Sequence, residues 1–211
     1  MVREVVMHEG YLFFALMWLG CWYLLFISDE TAEIRRWGLI RRLLGICCAG
    51  LLIPAIIFQI NLVFIVAVLW SIFQWRNWST VQLFKGTAAI SCIAIALVCI
   101  RICFILFPVW FVINWIYIAS ILLACLSISL MQTSKRLNTL TLGLILGETV
   151  YSAVLYLYGF PVRIIGTWES LDLLLLSHTI VVAYNKAQAL WVGRTPRRKV
   201  YPSPQMGIKG K

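Results

Sequence analysis

Long apolar runs separated by short basic or polar steps dominate the chain. The first runs from Gly10 to Ile27 and ends at Ser28-Asp29-Glu30. It has the length of a signal-peptide core. Glu4 and Glu9 lie upstream beside Arg3, however, and no small-x-small cleavage site follows, so a retained first span is expected. The second apolar region, Leu43 to Trp75, is too long for one span and short for two. Pro54, Gln59 and Asn61 interrupt it, which predicts a hairpin of spans 43–58 and 60–75. A re-entrant hairpin is the alternative, and both arrangements return the chain to the side it came from. Gly86 to Met131 holds a single charge, Arg101, and predicts spans 86–106 and 108–131, with Pro108 in the first turn of the second. Spans 141–160 and 170–191 complete the set.

A bilayer core of about 30 Å takes about 20 helical residues per span. Seven such spans use most of the 211 residues and leave no room for a separate soluble domain. The fold expected is therefore all-α: one polytopic membrane domain over 1–193, about seven transmembrane helices in one bundle, with a basic disordered tail over 194–211. Composition agrees. The chain is 62% hydrophobic and 12% charged, with a mean hydropathy of +0.92, whereas a globular domain is about a quarter charged. A water-soluble enzyme, a disordered chain and a nucleic-acid-binding domain are excluded as primary readings.

The net charge of +10 then becomes a topology signal. In the seven-span arrangement one side collects four arginines from Arg35 to Arg42, Arg76 and Lys85, Lys135 and Arg136, and seven basic residues from Lys186 onward. Only Arg3, Arg101 and Arg163 fall on the other side. Basic residues concentrate on the cytoplasmic face, so the amino terminus is expected outside and the carboxyl terminus in the cytoplasm of the cell membrane. Trp37, Trp75, Trp78, Trp110, Trp168 and Trp191 sit near span ends, as an interfacial belt requires. The seven cysteines all lie in apolar stretches without zinc or redox spacing, and read as small packing residues.

Ionisable residues within spans are costly and default to functional candidates. Counted from span starts, Glu148 and His178 in adjacent antiparallel spans differ by about 7 Å in depth, a gap that long side chains or one water can bridge. The expected arrangement is an intramembrane pair between spans six and seven, with Tyr151 or Ser152 as hydrogen-bond helpers, acting as a proton relay or as a structural clamp. Arg101, nearer the outer surface, is expected either to pair with Glu169 or Asp172 or to snorkel. The same depth count argues against an Arg101–Glu148 pair. Gly143 with Gly147, and Gly45 with Ala49, permit close helix packing. No P-loop, nucleophile elbow, HExxH or CxxC is present, and two histidines cannot build a multi-histidine metal site. No catalytic residue, cofactor or metal is therefore expected. The partners expected are the lipid bilayer, anionic lipids at the basic tail (Arg197-Arg198-Lys199, Lys209, Lys211), and a membrane protein partner, with no nucleic acid.

Glu9-Gly10-Tyr11-Leu12-Phe13-Phe14 with Trp18, and Trp168-Glu169-Ser170-Leu171-Asp172 leading into the last span, are similar to the YphA-like small integral membrane proteins of Bacillus and related Firmicutes. The resemblance covers most of the chain by length and hydropathy and carries no assigned site residues. It implies the membrane of a spore-forming bacterium and a role connected with sporulation. The function expected is non-enzymatic, in envelope assembly or membrane organisation. The alternative is a small proton-coupled transporter using Glu148 and His178.

Overall fold

A computed structural model describes residues 10–26, 32–54, 58–76, 78–107, 114–160 and 164–194. Among them are seven helices: α1 (Tyr11–Phe26), α2 (Ala32–Ala49), α3 (Leu62–Trp75), α4 (Thr80–Leu106), α5 (Trp115–Leu130), α6 (Arg136–Leu157) and α7 (Trp168–Arg194). Three short strands, β1 (Leu52–Pro54), β2 (Gln59–Asn61) and β3 (Ile164–Ile165), form a small sheet in the order β1-β2-β3. Pairing is antiparallel between β1 and β2 and parallel between β2 and β3. The α2–α3 connection is thereby fastened to the α6–α7 connection at one end of the bundle.

Among the described residues, the expected span 43–58 is helical only as far as Ala49. The second helix starts at Ala32 and ends at Ala49, so it contains the four arginines assigned to the preceding loop. Arginine, leucine and alanine are good helix formers. Glu33 suits the first turn, where the helix dipole favours an acid. The arginines are tolerated because two have partners within the bundle. Arg42 donates through Nη1 to the carbonyl of Gly20 on α1, and the Arg41 guanidinium lies 5.7 Å from the centre of the Trp70 ring. Gly38 and Gly45 meet Leu24 and Met17, in reverse order along α1, so the two helices run antiparallel. After Ala49 the chain extends into β1, which Pro54 closes. Asn61 then serves both helices: Nδ2 donates to the Ala49 carbonyl at 2.8 Å, and Oδ1 accepts from the amide of Val63 at 3.0 Å.

Other boundaries move outward. A capping arrangement, Ser79 with Gln82, starts α4 ahead of the expected residue 86. Gln82 Oε1 accepts the Ser79 amide at 3.2 Å. Helix α6 starts at Arg136 rather than 141, and α7 covers Trp168–Arg194. The described part of the fifth helix begins at Trp115, where Asn114 Oδ1 accepts the Ile116 amide. Pro108, Trp110, Arg163, Arg3 and the tail 195–211 lie outside the described residues. Gly159, at φ +81°, ends α6 in the left-handed conformation that favours glycine.

Helices α4 and α6 cross closely. A Cβ on Gly147 would stand 3.0 Å from the Ala94 carbonyl oxygen and 3.1 Å from its Cα, and one on Gly143 would strike Ile93. The GxxxG of α6 is thus an internal packing face. The main core gathers Ile93, Leu97, Leu123, Leu140, Leu173 and Val181, and a smaller one joins Phe13, Ala49, Phe64 and Leu171. The exterior is just as apolar: Trp22, Leu69, Phe73, Phe84, Ile95 and Leu106 are all more than half exposed. Soluble monomers do not carry such a surface. Five of the seven cysteines are also exposed on this exterior and only Cys21 is buried. Two helices, Thr80–Leu106 and Arg136–Leu157, are long and apolar enough to cross a membrane outright. Tyr11–Leu25, Leu62–Trp75 and Trp115–Leu130 are apolar but shorter.

Candidate functional site

The charged centre of the bundle is an Arg101–Glu148–Ser170 cluster joining α4, α6 and α7. Arg101 Nη2 lies 2.9 Å from Glu148 Oε2, and Nη1 donates to Oε1 at 3.2 Å. Nη2 also donates to Ser170 Oγ at 2.9 Å, and that hydroxyl donates onward to Glu148 Oε1 at 2.7 Å. Thr167 Oγ1 is 3.0 Å from Ser170 Oγ. With the serine proton committed to the carboxylate, Thr167 is the donor. The guanidinium is held between two aromatic faces, 4.9 Å from the Trp115 centroid and 4.7 Å from that of Tyr151, a placement in which the ring quadrupoles attract the cation. Arg101 is 7% exposed and Glu148 2%. The pair is buried and mutually neutralising.

This corrects three expectations. Arg101 does not snorkel. It pairs with Glu148, the partner that the depth count had argued against. Glu148, in turn, is not beside His178. The cause is the start of α6, which lies at Arg136. Counted from there, Glu148 is twelve residues in, about 18 Å along the helix rather than about 10 Å. That carries it toward the end where Arg101 lies. His178 stays two turns away, opposite Thr141, with Nε2 2.9 Å from Thr141 Oγ1 and Nδ1 2.7 Å from the Leu174 carbonyl. A carbonyl only accepts, so Nδ1 carries a proton; the Thr141 hydroxyl that faces Nε2 also donates to the Leu137 carbonyl at 2.8 Å. Of the expected helpers, Tyr151 touches Arg101, while Ser152 is buried.

Asp172 and Glu169 have other work. The Asp172 carboxylate accepts the amides of Gly10 (3.0 Å) and Phe13 (2.6 Å). It thereby caps the start of α1, whose first amides have no partner within the helix, from the first turns of α7. Glu169 sits in the first turn of α7, again at the dipole end that favours an acid. At the opposite end, Arg136 donates to Asn185 Oδ1 at 2.6 Å, Gln188 Oε1 at 3.1 Å and the Met131 carbonyl at 3.0 Å, tying α5, α6 and α7.

A cavity of about 430 Å³ lies between α1, α2, α3, α6 and α7. His178, Thr141, Asn138 and Arg41 line it, and Glu148 does not. Sequence reasoning missed Ser170, Thr141 and this cavity. One available signal pointed to the ion pair: Arg101 and Glu148 are the lone charges of their two apolar stretches, and opposite lone charges in lipid seek each other. Among the described residues, no group of three or more metal-ligating side chains exists.

An apolar exterior around a helical bundle whose deepest charges are paired internally defines an integral membrane protein. Residues 9–193 match the family described as YphA-like integral membrane protein, and the chain belongs to that family. No curated protein and no solved structure matches the chain.

Proposed function

We propose that the chain is a non-enzymatic, seven-span protein of membrane organisation or envelope assembly, with its amino terminus outside and its carboxyl terminus in the cytoplasm. The observation that carries this reading is the buried Arg101–Glu148–Ser170 cluster. The bundle's one intramembrane carboxylate among the described residues of α4 to α6 is spent on holding three helices together. A relay needs water or a mobile proton acceptor beside that group, and Glu148 borders neither the cavity nor His178. Alternating helix directions and the sheet that gathers the α2–α3 and α6–α7 connections support seven passes. The carrier reading survives only around His178, which faces the cavity.

The test is complementation of a strain lacking the gene, scored under envelope stress. The double variant R101M/E148L, which keeps bulk and removes both charges, is expected to restore the wild-type phenotype at normal membrane abundance. Failure to complement, with normal insertion, would establish the pair as functional chemistry and refute the clamp.

A further inference from the structure

The cavity is divided by chemistry along its length. Arg42 of α2 meets Gly20 of α1, Asn138 meets the Ser71 carbonyl at 3.3 Å, and Thr141 meets His178; these contacts place the lining residues in level order. Toward the end where α6 begins lie Ser71, Gln74 and Asn138, with Arg41 at the level of the adjoining Trp70, and Thr141 and His178 lie about one turn deeper. Toward the sheet end the walls are Met17, Cys48, Val63 and Leu174, all apolar. Along α3 alone the lining runs from Val63 to Gln74. That is about 16 Å at the helical rise. Arg41, Leu44 and Trp70 line the cavity and are exposed, so its mouth opens sideways between α2 and α3.

Arg41 gives the space its sign. It stands near the middle of α2, nine residues from Ala32 and eight from Ala49. Either end of the helix is therefore about 13 Å away. Its contacts are the Trp37 carbonyl at 3.3 Å and the Trp70 ring; among the described residues no carboxylate lies within ion-pair distance of it. A guanidinium at that depth requires an anion or water. Resting on the membrane reading above, we infer that the cavity binds a single-chain anionic amphiphile. Its carboxylate or phosphate head is held at Arg41 and the neighbouring polar groups, and its chain runs toward Met17, Val63 and Leu174. The volume lies in the range of small-ligand pockets, about 300–1,000 Å³, and suits one chain. The lateral mouth admits it from the bilayer.

The experiment is native mass spectrometry of the full chain in an uncharged detergent with palmitate, palmitoyl lysophosphatidate or hexadecanol. One palmitate or one lysophosphatidate per chain is expected, with hexadecanol far weaker. Retention of palmitate alone identifies a carboxylate head, and retention of lysophosphatidate alone a phosphate head. R41Q should weaken binding at least about tenfold, the equivalent of about 1.4 kcal/mol; R41K should largely retain it, and A67W, which fills the cavity, should abolish it. Hexadecanol held as well as the anions, wild-type occupancy in both R41Q and A67W, or no adduct at all overturns the inference. Failure here with intact complementation leaves the membrane-organisation reading standing. Conversely, a bound lysophosphatidate released with altered mass would overturn the non-enzymatic reading while the site remains.

Discussion

Removing either member of the Arg101–Glu148 pair should cost far more than removing both. In E148L the guanidinium, 7% exposed, keeps only the Ser170 hydroxyl and the rings of Trp115 and Tyr151. In R101M the carboxylate, 2% exposed, keeps only Ser170. Stranding one buried charge in this way typically costs about 3–5 kcal/mol. R101M/E148L strands neither, and Ser170 still has Thr167 at 3.0 Å. Exchanging a buried pair for apolar groups of similar bulk is often neutral or better. The double variant should therefore lie within about 2 kcal/mol of wild type, leaving a coupling of several kcal/mol between the two sites. Reversible unfolding by sodium dodecyl sulfate in mixed micelles, followed by helical circular dichroism, measures all four corners of this cycle. Additive losses, with coupling below about 0.5 kcal/mol, would mean that the two groups are independently solvated and the clamp does not exist.

Two further outcomes are expected. In G147A the new methyl meets the Leu97 side chain at 3.0 Å and the Ala94 backbone at 3.0 Å and 3.1 Å; the leucine can turn aside but the backbone cannot, so the variant should destabilise the bundle by about 1–3 kcal/mol in the same assay; a neutral result would show that α4 and α6 separate freely. A reporter fused after Lys211 should be active only in the cytoplasm, and one fused at the amino terminus only outside; an external carboxyl terminus would refute the seven-pass arrangement.

Hydropathy made most helices legible, because α1, α3, α4 and α6 each contain an unbroken apolar run. It misplaced α2 because a window average assigns arginines to loops. The fold instead spends Arg42 on a backbone carbonyl and leaves Arg41 beside a cavity, two destinations that exist only once α1 and α3 are in place. The same limitation displaced the start of α6. Arg136-Leu137-Asn138-Thr139 reads as a polar linker, yet Arg136 is satisfied by Asn185 and Gln188, and Asn138 by the Ser71 carbonyl. Five residues of error at that end shifted Glu148 by more than a turn and exchanged its partner. Which charges meet across a bundle thus depends on side-chain bonds distant in sequence, to which periodicity is blind.

The cap that Asp172 places on α1 spans 162 residues in its bond to Gly10 and 159 in its bond to Phe13. A helix made early is therefore completed by one made much later. Until α7 is made, the leading amides of α1 lack this acceptor, although α2 already packs against the same helix. Closure of the bundle is a late event in synthesis, and a chain stopped before Trp168 would leave the start of α1 without its cap.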